Sequence, residues 1–86
     1  MDACKGPTTA QVRYVWNGTT AYAYIPPNEL PNVTFADLAD ELGLSADTVP
    51  MNFPAAWNRF AERSTDAICC ATYRPHDAVT VTLLCD

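Results

Sequence analysis

Residues 11–25 read Gln11-Val12-Arg13-Tyr14-Val15-Trp16-Asn17-Gly18-Thr19-Thr20-Ala21-Tyr22-Ala23-Tyr24-Ile25, and this stretch decides the fold class. Val12, Tyr14 and Trp16 alternate with Arg13 and Val15, which is the two-residue period of a strand with two distinct faces. Asn17-Gly18 follows, and both residues accept the positive φ that the central positions of a type I′ turn require. Thr20, Tyr22, Tyr24 and Ile25 then supply the β-branched and aromatic residues of a second strand. Pro26-Pro27 closes it, because proline has no N–H to give to a ladder. The stretch predicts a β-hairpin, preceded by a lead-in over residues 1–10.

Downstream the period changes from two to 3.6. Asn28 to Asn32, with Pro31, reads as a loop. Thr34 is placed as an N-cap, with Asp37 three positions on to complete a capping box, and Val33 and Leu38 stand where a hydrophobic staple belongs. Phe35, Leu38, Ala39 and Leu42 recur at i, i+3, i+4 and i+7, and Gly43 sits where a left-handed C-terminal residue is wanted. A helix over Phe35 to Leu42 follows, with Asp37, Asp40 and Glu41 on its outward side. Ser45 to Val49 adds at most one helical turn before Pro50. Phe53, Trp57, Phe60 and Ala61 mark a second helix over Pro54 to Arg63, since proline is tolerated in a first turn.

A second hairpin ends the chain. Ala67 to Tyr73 is largely apolar, Arg74-Pro75-His76-Asp77 reads as a turn, and Ala78 to Cys85 alternates with Val79, Val81, Leu83 and Cys85 on one side. The predicted architecture is α+β: two β-hairpins forming a four-stranded sheet packed by one or two short helices, in the order ββααββ. The chain has 86 residues, of which 49% are hydrophobic, so one domain with a small core is expected and disorder is not.

Charge and cysteine usage narrow the function classes. Ten acidic residues against five basic ones give a net charge of −5, which opposes attraction to phosphate or to an anionic membrane. No stretch approaches the roughly 20 apolar residues of a membrane span, and the first residues carry no basic or apolar leader pattern. The expected location is the cytoplasm. The sequons at Asn17 and Asn32 are then explained by turn and cap chemistry. In a reducing compartment Cys4, Cys69, Cys70 and Cys85 are expected mostly as small buried thiols, with Cys4 to Cys85 the one bridge worth considering. Adjacent Cys69 and Cys70 would point to opposite faces of a strand, so no metal site is expected.

Little in the sequence carries chemistry. His76 stands alone in its turn beside Asp77, no nucleophile is placed near it, and each of the three glycines belongs to a turn, a cap or the lead-in. No catalytic residue, cofactor or enzymatic activity is expected.

Two resemblances can be drawn. Residues 35–49 resemble the first half of a helix-turn-helix DNA reader, with Ala39, Gly43 and Val49 at that family's small, turn and buried positions. The resemblance implies a recognition helix beginning near Ser45, but Pro50 cuts it after one turn and Ala46, Asp47 and Thr48 offer no basic contact. The order of elements, with Asp77-Ala78-Val79-Thr80-Val81 near the close, resembles the β-grasp, or ubiquitin-like and sulfur-carrier-like, arrangement. The carriers of that fold end in a Gly-Gly tail, and this chain ends Leu84-Cys85-Asp86, so their chemistry is not implied.

The functional expectation is a small non-enzymatic protein-binding or adaptor domain, encoded by a phage or mobile element and acting on a host protein. The Ala-, Thr- and Asp-rich composition with a single lysine suits a GC-rich genome. The binding residues expected are Tyr14, Trp16, Tyr22 and Tyr24, because aromatic side chains are enriched at interfaces, together with Asp37, Asp40 and Glu41. Two alternatives are a helix-turn-helix regulator using Leu38 to Val49 and a homo-oligomeric structural protein joined through a strand edge.

Overall fold

A computed structural model describes residues 7–64 and 71–85. Strands β1 (Thr9–Trp16) and β2 (Thr19–Ile25) form the expected hairpin, with Asn17 and Gly18 at φ of 51° and 83°. After a 3₁₀ segment at Pro27–Asn32 come helix α1 (Phe35–Leu42), a short 3₁₀ turn at Ala46–Thr48 and helix α2 (Phe53–Glu62). Strands β3 (Thr72–His76) and β4 (Val79–Leu84) complete an antiparallel four-stranded sheet in the order β2-β1-β4-β3. The fold is α+β, as the change of period along the chain implies.

The two central strands are the first and last of the described ones, and they run antiparallel, with Val12 opposite Val81.

Helix α1 has the predicted limits because its ends are chemically specified. The Thr34 side chain accepts from the Asp37 N–H while the Asp37 carboxylate accepts from the Thr34 N–H, each at 3.4 Å. At the other end Gly43 is left-handed at φ 71°, and the Leu44 N–H reaches back to the Ala39 carbonyl at 2.8 Å. Helix α2 buries Phe53, Trp57 and Ala61. The Trp57 indole N–H donates to the Val33 carbonyl at 2.8 Å, and Asn58 accepts from the Phe35 N–H at 2.9 Å. These two bonds tie α2 to the start of α1.

Both helices and the first 3₁₀ segment lie on one face of the sheet. Ala10, Val12 and Tyr14 from β1, Ala23 and Ile25 from β2, and Val79, Val81 and Leu83 from β4 meet Leu30, Leu38, Leu42, Phe53 and Trp57 there. Phe53 is the aromatic hub, 5.5 Å from the Tyr14 ring, 5.4 Å from Phe35 and 5.7 Å from His76 between centroids.

Several expectations are corrected. Thr9 and Ala10 belong to β1, so the lead-in is shorter than expected. Residues 28–32 are 3₁₀ helix rather than loop, and their Leu30 is a core residue. The expected strand over Ala67 to Tyr73 falls mostly outside the described residues; β3 instead continues through Arg74 and Pro75 to His76, and the turn lies at Asp77-Ala78. Pro75 is accommodated because β3 is an edge strand whose register shifts between Tyr73 and His76.

Cys85, just beyond β4, is disulfide-bonded, with its partner outside the described residues. Cys85 is one of the two cysteines for which a bridge is considered from the sequence, so it is an exception to the buried thiols expected elsewhere. The nearest other cysteine in the chain is Cys70, so the closed loop spans at least about 15 residues and is worth about 3 kcal/mol in the chain-entropy picture. At about 4–8 °C per kcal/mol for a domain of this size, reduction should lower the melting midpoint by about 10–25 °C. Thermal melts followed by circular dichroism, with and without a phosphine reductant, measure the shift. An unchanged midpoint would show that Cys85 contributes no cross-link.

Candidate protein-binding surface

The turn at Asn17-Gly18 fixes the hairpin register, and the register fixes which side chains share a face. Trp16 lies opposite Thr19, Tyr14 opposite Ala21, and Arg13 opposite Tyr22. Gln11, Arg13 and Val15 therefore stand beside Tyr24, Tyr22 and Thr20, and Thr80 and Thr82 extend the same face onto β4. This is the face away from the helices. Val15 is 42% exposed, Tyr22 48% and Tyr24 58%. The Gln11 side-chain amide donates to the Tyr24 hydroxyl at 3.2 Å, which holds that ring across the strand pair.

Of the four aromatic residues expected to bind, Tyr14 does not belong. It is 1% exposed, points to the helices and packs on Phe53. Burial pushes its phenol above the ordinary tyrosine value of 10.0. Trp16 is on the same side as Tyr14, but it sits at the end of β1 and is 39% exposed. Its indole meets the His76 ring edge-on at 6.4 Å. Only Tyr22 and Tyr24 lie together on the open face.

Asp37, Asp40 and Glu41 are exposed on the side of α1 next to β2, as expected from the helical period. With Glu29 from the 3₁₀ segment they line a groove of about 530 Å³ whose other walls include Tyr24, Ile25, Pro26 and Val33. Among the described residues no basic side chain lines this groove. Sequence reading missed Glu29 because the segment was taken as loop, and it placed Val15 on the face of Arg13 without naming it as a binding residue. The strict alternation with Arg13 was the signal that placed Val15 outside.

Other candidates resolve into structural roles. His76 is half-buried against Phe53, and its Nδ1 accepts from the Ala78 N–H at 3.1 Å, closing the β3–β4 turn rather than facing water. The helix-turn-helix likeness ends at Ala46–Thr48, where three residues of 3₁₀ turn stand in place of a recognition helix. A depression of about 580 Å³ between α2 and β3 is lined by Arg59, Phe60, Arg63, Ser64 and Tyr73. Among the described residues no group of three or more His, Cys, Asp or Glu side chains could hold a metal ion. No helix among them is long and apolar enough to cross a membrane.

Comparison with known proteins finds no matching family model, no matching curated protein and no matching solved structure.

Proposed function

We propose that this chain is a non-catalytic protein-binding module that engages its partner through the β1–β2 hairpin and the acidic side of α1. The observation that carries the reading is the placement of Tyr22, Tyr24 and Val15 together on a sheet face that no described element covers. Aromatic side chains with apolar bodies and polar tips are favoured at such surfaces, and burying them against a partner removes about 25 cal/mol per Å² of apolar area from water. The disulfide at Cys85 supports an oxidising setting for this encounter, in place of the cytoplasm expected from the sequence.

The test is affinity capture from a lysate of the source cells with the tagged wild type and a Tyr22→Ala/Tyr24→Ala variant. Both should melt at the same temperature, and the variant should lose the wild type's stoichiometric partner by ten-fold or more. A partner retained equally by both proteins would move the binding surface elsewhere.

A further inference from the structure

Resting on that reading of the hairpin, we propose how the surface binds and what it takes: β2 receives an extended, basic segment of the partner protein as a fifth strand of the sheet. The backbone pairing leads to this directly. The Val15 N–H donates to the Ala78 carbonyl at 2.9 Å, so odd-numbered β1 residues direct their backbone groups to β4 and even-numbered ones to β2. The β2 residues bonded to β1 are thus Thr19, Ala21, Ala23 and Ile25, opposite Trp16, Tyr14, Val12 and Ala10. Thr20, Tyr22 and Tyr24 turn their N–H and C=O groups away from the sheet, and no described backbone group pairs with them.

The two edges of the sheet are treated differently. On β3 a proline, an arginine and a register shift interrupt pairing, which are the usual devices that keep an edge from recruiting another strand. The seven residues of β2, Thr19–Ile25, contain no proline and no charge, and they pair with β1 without a break. Among the described residues this edge is regular, open and flanked by two exposed tyrosines. Strand addition uses such an edge: main-chain bonds hold the ligand, and alternate side chains select it.

Charge identifies the occupant. A strand laid along β2 sends every second side chain toward the α1 side and the others beside Tyr22 and Tyr24. On the α1 side those side chains meet the groove of Glu29, Asp37, Asp40 and Glu41, which has no basic residue in its lining among the described residues. Lysine or arginine at alternate positions complements these carboxylates, and apolar residues between them rest against the tyrosines. A second copy of this chain fits badly, because pairing β2 with β2 brings two such acidic grooves to one joint between chains of net charge −5.

The experiment selects a displayed random decapeptide library on the full disulfide-bonded chain, then measures a synthetic winner by fluorescence anisotropy and amide hydrogen exchange. Selected peptides should carry Lys or Arg at alternate positions, bind more weakly as salt rises, and slow exchange at Thr20, Tyr22 and Tyr24 at least ten-fold. Asp40→Lys/Glu41→Lys should weaken binding at least ten-fold. Thr20→Pro, which removes an outward N–H without breaking the β1 ladder, should do the same. Because Thr20→Pro could disturb the hairpin, a winner peptide N-methylated at alternate positions tests the same bonds from the partner's side. No enrichment, winners without alternating basic residues, or binding that leaves those three amides unprotected would overturn the proposal. So would a dimer in light scattering that protects the same amides. If Tyr22→Ala/Tyr24→Ala releases the captured partner while Asp40→Lys/Glu41→Lys does not, strand addition falls and the hairpin surface stands.

Discussion

Replacing Trp57 by alanine is expected to cost about 3–5 kcal/mol, the range for removing a large buried aromatic side chain. A domain of 86 residues has a stability of roughly 4–13 kcal/mol at the usual per-residue value, so this single change removes a large share of it. Trp57 has no solvent exposure, lies 5.5 Å from the Phe60 ring and donates its indole N–H to the Val33 carbonyl. Alanine would leave a cavity between α2 and the segment leading into α1 and would strip that carbonyl of its donor. Trp57→Phe separates the two effects: most of the packing remains, and the orphaned carbonyl alone should cost about 1–3 kcal/mol. Urea titrations of the three proteins, compared at a common slope, give both numbers. A loss below about 1 kcal/mol for the alanine variant would show that Trp57 does not anchor α2.

The elements that were legible in the sequence are those whose signals are local and redundant. Asn17-Gly18 specifies the hairpin turn by itself. Thr34, Asp37 and Gly43 specify both ends of α1, and its limits at Phe35 and Leu42 are the predicted ones. Leu30 was not legible, because a six-residue 3₁₀ segment that itself contains Pro27 and Pro31 has neither a period of two nor one of 3.6. Strand β3 was misplaced because Pro75 reads as a breaker, and only the sheet shows that it sits on an edge beside a register shift. In each case what decides the outcome is a neighbour distant in sequence.

The binding surface was half legible. A two-residue turn that pairs Trp16 with Thr19 also puts Tyr22 opposite Arg13, so Tyr14 and Tyr22 must occupy opposite faces. That much follows from counting along the hairpin. Which face is buried does not, because each carries an aromatic residue and the hairpin alone has no preference. The helices decide it: Phe53 of α2 stacks on Tyr14 at an interplanar angle of 22°. The acidic side of α1 was readable from its period, but its position beside β2 is a consequence of packing.

The two tyrosines therefore make opposite predictions from one substitution. Tyr14→Ala should destabilise the domain by about 3–5 kcal/mol, since it empties a site at the centre of the sheet and leaves the Phe53 ring without its stacking partner. Tyr22→Ala should change stability by no more than about 0.5 kcal/mol, as is usual for an exposed residue without a structural role. Tyr14→Phe supplies a further check through pH. The folded protein holds the Tyr14 phenol above its ordinary value of 10.0, so the unfolded chain ionises there first. Above about pH 10 the unfolded state releases the proton that the folded state keeps, and this residue's contribution lowers stability as pH rises. Phenylalanine at position 14 removes that contribution, so the wild type should lose stability faster than Tyr14→Phe between pH 9 and about pH 11. Urea midpoints across this range measure the difference. Parallel curves, or equal costs for the two alanine variants, would mean that Tyr14 is not on the buried face, and the assignment of Tyr22 and Tyr24 to the binding surface would fall with it.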